Sequence, residues 1–96
     1  MEATFNQSEE QSRGLFEMQI NGDTIARMTY SRVDPNNIII DHTTVNPSAK
    51  GTGAGKRIVA YGVEWARQNN QKVLPLCPFA KAIMTKSEEM QDVLRK

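Results

Sequence analysis

Hydrophobic and polar residues alternate from Leu15 to Ile20, with Phe16, Met18 and Ile20 on one side and Leu15, Glu17 and Gln19 on the other. A period of two is that of a half-buried strand. The pattern resumes beyond Asn21-Gly22, with Ala26, Met28 and Tyr30 set against Ile25, Arg27 and Thr29. Asn-Gly suits a tight turn whose two central residues need positive φ, so the two runs are expected to pair as a hairpin. Asp34-Pro35-Asn36-Asn37 reads as a turn. Ile38 to Val45 is the longest β-branched run and is expected to form a central strand.

The period then changes. Between 54 and 69 the apolar or small residues fall at Ile58, Val59, Gly62, Val63 and Ala66, the spacing of an amphipathic helix, and Asn69-Asn70 ends it. Lys72 to Cys77 reads as a short strand in which Pro75 marks a place where pairing is lost on one side. Pro78 to Met84 fits a helix with proline at its first position. A last helix is expected after Ser87, with Glu88 and Glu89 facing the positive end of its dipole. Residues 1–12 are polar and read as a flexible N-terminal tail before a single domain spanning 13–96. The expected order is β-β-β-α-β-α-α. That is an α+β (α/β-like) fold with a mixed, mostly antiparallel sheet of about four strands and three helices.

Composition removes several classes of function. With 96 residues the chain has room for one small core. Twelve basic residues against 11 acidic ones leave a net charge of +1, and no basic-aromatic pattern suggests nucleic acid. No apolar stretch approaches the ~18 residues of a membrane span, and the N-terminal letters do not read as a signal peptide. Cys77 is the sole cysteine, and with His42 the sole histidine it is too little for a metal site. A reduced, cytoplasmic setting and a monomer or weak homodimer are the expectations.

The chemistry is concentrated in residues 42–57, where the β-branched run gives way to a loop with Gly51, Gly53 and Gly55 and then to a helix. Closely spaced glycines let backbone amides approach a ligand. The helix start adds unpaired amides and ~+0.5 of charge, and Lys50, Lys56 and Arg57 add full charges. Together they suit phosphate or pyrophosphate. A Walker A loop is ruled out, because Lys50 stands where its first glycine belongs and Arg57 where its hydroxyl belongs. A dinucleotide fingerprint is ruled out by Lys56 at its third glycine.

His42-Thr43-Thr44-Val45-x-Pro47, Lys50-Gly51-x-Gly53-x-Gly55 and Leu76-Cys77-Pro78-Phe79 together resemble a short, single-domain branch of the GNAT superfamily of N-acetyltransferases, over about residues 14–95. The resemblance implies that acetyl-CoA lies where the third and fourth strands splay apart. Its pantetheine would run along the edge at Thr43, Thr44 and Val45. Its pyrophosphate would sit on the amides of Lys50, Gly51, Thr52, Gly53, Ala54, Gly55 and Lys56. Acetyl would pass to an amine acceptor, which the letters do not identify, by direct attack and without a metal.

Individual residues keep two readings each. Cys77 is a small buried hydrophobe, or an active-site thiol activated at a helix N-terminus. As a site residue it would be nucleophile, proton donor or lining. His42, assigned to the same strand face as Ile38 and Ile40, is either a satisfied strand residue or a general base. Phe79 either shields the pantetheine or anchors its helix. Lys81 and Lys86 are candidates for the 3′-phosphate of CoA, whereas Tyr61 and Trp65 are expected to pack along their helix. The alternative to an enzyme is a non-catalytic CoA-binding or protein-interaction module with a CoA- or redox-responsive Cys77.

Overall fold

The computed structural model describes residues 3–95. Five strands, β1 (Thr4–Glu10), β2 (Arg13–Ile20), β3 (Asp23–Asp34), β4 (Asn37–Val45) and β5 (Lys72–Pro75), lie in chain order across one sheet. The first four are antiparallel, and β5 runs parallel to β4 after a crossover through helix α1 (Ala54–Gln68). Helix α2 (Pro78–Lys86) follows β5. The Asn21-Gly22 turn forms as read, with φ of 52° and 82° at its two residues.

Three expectations are corrected. The polar N-terminal segment, expected as a tail over 1–12, is an edge strand from Thr4 to Glu10; residues 1 and 2 lie outside the described residues. Besides its antiparallel ladder with β2, from Thr4–Gln19 to Glu10–Arg13, it is held by side chains far along the chain. The Phe5 ring stacks on Tyr61 at 4.9 Å between centroids. Gln7 donates to the Tyr30 hydroxyl, which donates to Glu9, and Arg32 donates to both Glu9 oxygens. The sheet therefore has five strands rather than about four. The third helix is instead a single 3₁₀ turn, Glu88–Met90, after which the chain runs beside β5 with Val73 bridged to Leu94. Arg67 holds that segment by a two-pronged ion pair with Asp92, both contacts at 2.7 Å.

Both helices cover the same face of the sheet. Phe16, Met18, Ala26, Met28, Tyr30, Ile38 and Ile40 point into a core completed by Ile58, Val59, Val63, Ala80 and Met84. Gly62 lets α1 approach, since a Cβ there would stand 2.5 Å from the Met28 terminal methyl. On the other face Leu15, Glu17, Thr29, Ser31 and Ile39 are only half-buried. No helix among the described residues is long and apolar enough to cross a membrane.

Candidate active site

The fold builds the site by interrupting β4 twice. Pairing with β5 runs from Asn37–Lys72 to Ile40–Pro75 and then ends. The amides of Leu76 and Cys77 both donate to the carbonyl of Ile40, at 3.1 and 3.2 Å, as the chain turns into α2. From there to Val45, β4 pairs only with β3, and its other edge is free for a ligand. Pro75, which has no N–H, stands where the strands part, as its position in the sequence implied.

The second interruption is a β-bulge. Ile40 pairs with Tyr30 and His42 with Thr29, so Asp41 is an extra residue on β4, held by the Ser31 hydroxyl at 2.8 Å. One extra residue exchanges the faces of everything beyond it. Thr43 and Val45 therefore turn toward the helices, while His42 and Thr44 are exposed on the open face. This corrects the assignment of His42 to the face of Ile38 and Ile40. His42 and Cys77 consequently stand on opposite sides of the sheet.

Thr43, now inward, meets Cys77. The Cys77 Sγ donates to Thr43 Oγ1 at 3.5 Å, from a buried position at the N-cap of α2. Burial works against ionising this thiol, but the Ala80 amide, the Thr43 hydroxyl and the Phe79 amide outweigh it. The net effect holds the thiol below its ordinary pKa. The position is suited to managing a proton.

The glycine loop closes the other end of a cleft of about 460 Å³, lined among others by Thr43, Val45, Lys50, Gly53, Lys56 and Phe79. Gly51 and Gly53 have φ of 84° and 82°, and a Cβ at either would meet nothing within 4 Å. Gly53 is the N-cap of α1 and provides no side-chain cap. The amides of Thr52 and Arg57 are satisfied by the carbonyls of Ala49 and Gly53. Those of Gly51, Gly53, Ala54, Gly55 and Lys56 have no acceptor among the described residues. Five donors, an open approach and two lysines are chemically suited to an anion.

Phe79, 44 % exposed, lies over Gly55 so closely that a Cβ there would collide with its ring. Lys81 does not reach the cleft: two residues past Phe79, it sits ~200° round α2 and is exposed. Tyr61 and Trp65 belong to an aromatic cluster with Phe5, Phe16 and Tyr30. No cluster of His, Cys, Asp or Glu able to hold a metal ion occurs among the described residues. Nothing in the letters marks the Thr43–Cys77 contact, because it depends on a bulge that residue types alone do not reveal.

A family model described as GCN5-related N-acetyl-transferase matches residues 15–93. Among solved structures, a GCN5-like protein from Staphylococcus aureus is 35% identical, with a TM-score of 0.70 over 94% of this chain and 87% of that one. A GNAT family acetyltransferase from Elizabethkingia anophelis, solved with acetyl-CoA bound, is 17% identical, with a TM-score of 0.59 over 65% of this chain and 41% of its own. The ribosomal-protein-S18-alanine N-acetyltransferase of Escherichia coli is 15% identical, with a TM-score of 0.57 over 62% of this chain and 38% of its own. No curated protein matches the chain.

Proposed function

We infer that this chain, which belongs to the GCN5-related N-acetyltransferase family, binds acetyl-CoA in the cleft and transfers its acetyl group to an amine. The observation that carries this reading is the set of unpartnered amides from Gly51 to Lys56, placed at the end of the free β4 edge. A pyrophosphate needs several donors converging on a surface that no side chain obstructs, and the open positions at Gly51 and Gly53 supply it. Lys50 and Lys56 line the same cleft and add charge without a carboxylate partner among the described residues. The backbone of Thr43, Thr44 and Val45 offers the pantetheine amides a strand edge to pair with.

The two faces of the sheet divide the proton chemistry. On the open face, His42 is exposed where an amine can approach, and a neutral imidazole takes the proton that the amine loses as its nitrogen bonds to the acetyl carbon. On the helix face, Cys77 gives its proton to the sulfur released when the carbon–sulfur bond breaks, and solvent restores both groups. Most of the acceleration would come from holding the two reactants together.

Calorimetric titration of acetyl-CoA into the parent and into Gly53→Glu tests the reading. Binding by the parent and none by the variant is expected. An amine screen should then give turnover that falls in both Cys77→Ala and His42→Ala. No binding by folded parent protein would refute the reading. Binding without turnover of any amine would leave a CoA-binding module in its place.

A further inference from the structure

The open face of the sheet, where β4 loses its partner, carries one uncompensated charge beside an uncovered apolar strip. Elsewhere on that face the charges are matched across strands. Glu10 stands opposite Arg13 in the register of β1 with β2, and Glu17 stands opposite Arg27, with 4.0 Å between their charged groups. Asp41 is left over. Bulged out next to His42, it accepts from the Ser31 hydroxyl and makes no ion pair among the described residues. No donor among them meets its other oxygen. A half-buried carboxylate in that state attracts a cation.

The apolar strip begins at the same point. Val73, Pro75 and Cys77 are buried, so the residues between them, Leu74 and Leu76, turn to the open face. The Leu76 amide donates to the Ile40 carbonyl, which sets Leu76 beside Asp41 where the strands part. Leu76 is 61% exposed; of the other large hydrophobic residues exposed among those described, Phe79 lines the cleft and Val33 lies near the β3–β4 turn. Two residues back along the strands, Ile39 and Leu74 are register partners, both half-buried. Two strand residues span about 7 Å, within reach of a short alkyl chain that begins at Asp41.

We propose that the acceptor is a primary alkylamine: Asp41 holds its ammonium beside His42, and its methylenes rest on Leu76 and then on Ile39 and Leu74. The proposal rests on the acetyl-transfer reading and names the class of amine. Such an amine, with a pKa of ~10.4 like that of a lysine side chain, arrives charged. Its proton passes to His42 as the nitrogen bonds to the acetyl carbon, so Asp41 positions the acceptor and takes no proton itself.

Initial rates with methylamine, propylamine and pentylamine, at low salt and saturating acetyl-CoA, test it. kcat/KM should rise about two- to fourfold for each methylene added. β-Alanine, close in length to propylamine but ending in a carboxylate, should be a poor acceptor. Asp41→Asn should raise the KM for pentylamine about three- to fivefold, the range of an exposed charge pair, with kcat retained. Leu76→Ser, at an exposed position, should flatten the dependence on length. A capped lysine accepted as well as pentylamine would assign the stem to a lysine side chain, and its rejection to a free amine.

Rates independent of stem length, β-alanine as good as propylamine, or a KM unmoved in Asp41→Asn would overturn the proposal and leave acetyl transfer standing. A slope unchanged in Leu76→Ser would overturn the role of the strip. Turnover of no amine at all, with acetyl-CoA bound, would remove the acetyl-transfer reading and this proposal with it.

Discussion

Gly53→Ala separates the loop's conformation from its chemistry. Gly53 has φ 82° and ψ 10°, and its Cβ would touch nothing within 4 Å, so the cost of alanine there is torsional rather than steric. A left-handed backbone costs a residue with a Cβ about 1–2 kcal/mol, and the stiffer unfolded chain returns about 0.4–1 kcal/mol. The net loss is about 1 kcal/mol, which lowers Tm by roughly 4–8 °C in a domain of this size. Gly22 is a matched control, because it has the same φ of 82° and the same empty surroundings but lies in the β2–β3 turn. Gly22→Ala should therefore lose similar stability. Affinity should distinguish the two variants. Relief of strain at Gly53 turns away the amides that follow it, and one lost charge-assisted hydrogen bond, at about 1.5 kcal/mol, weakens acetyl-CoA binding about tenfold. Thermal melts and calorimetry on both variants give the four values. Equal affinity in Gly22→Ala and Gly53→Ala, or no loss of stability in either, would refute the reasoning.

Gly14→Ala should destabilise the fold by about 1–3 kcal/mol in urea titration. Its Cβ would fall within the Tyr30 ring, which is buried and wedged between Phe16 and Trp65; an unchanged midpoint would show that the ring can retreat. Burial first, then the hydrogen bond to Glu9, pushes the Tyr30 phenol from 10.0 up to about 12. A raised folded-state pKa gives stability that is complete below the unfolded value and lost as pH rises through the folded one. Stability should accordingly decline between pH 10 and about 12, and Tyr30→Phe should flatten that limb. Glu9 has the opposite sign. Its hydrogen bonds with Arg32 and then Tyr30 hold the carboxyl below the usual range, so its contribution fades as pH falls through that lowered value, and Glu9→Gln should make the acid limb shallower. The pH midpoint for alkylation of Cys77 should lie below that of a free thiol and move upward in Thr43→Val, as followed by mass spectrometry; no movement would remove Thr43 as the thiol's partner.

What the letters disclose is what local chemistry decides. The Asn21-Gly22 turn, the alternation of β2 and β3, the spacing along α1 and the proline opening α2 each depend on residues a few positions apart, and each forms as read. β1 could not be read in this way. Its outward residues are Thr4, Asn6, Ser8 and Glu10, as suits an exposed sheet edge, and polarity of that kind looks the same in a tail. It pairs along its whole length with β2, and the side chains that fix it there, Phe5 against Tyr61 and Glu9 against Arg32, meet partners dozens of positions away. The last segment was misread for a related reason. Two acidic residues after Ser87 suit a helix start, but the ion pair from Arg67 to Asp92 and the bridge from Val73 to Leu94 draw the chain out along β5.

The bulge at Asp41 has the largest functional consequence and the weakest signature. Strict alternation would put His42 inward with Ile38 and Ile40, beside Cys77, and would invite a His–Cys pair acting on one face. The extra residue instead sends Thr43 to Cys77 and His42 to solvent. A thiol whose partner is a hydroxyl cannot be deprotonated by it as it would be by an imidazole, which argues against Cys77 as a nucleophile activated by His42. An imidazole on the far side of the gap between β4 and β5 is instead free to meet a group arriving from the open face. The geometry thus favours acid and base acting from opposite sides of one thioester over a covalent relay on a single side. Deleting Asp41 removes the extra residue yet keeps Ile40 opposite Tyr30 and His42 opposite Thr29, so His42 still faces the open side, Thr43 still meets Cys77, and turnover at saturating amine should survive in the folded variant. Loss of activity in a folded Asp41 deletion would show that the bulge itself, and not the faces on which it leaves His42 and Thr43, is what the site needs.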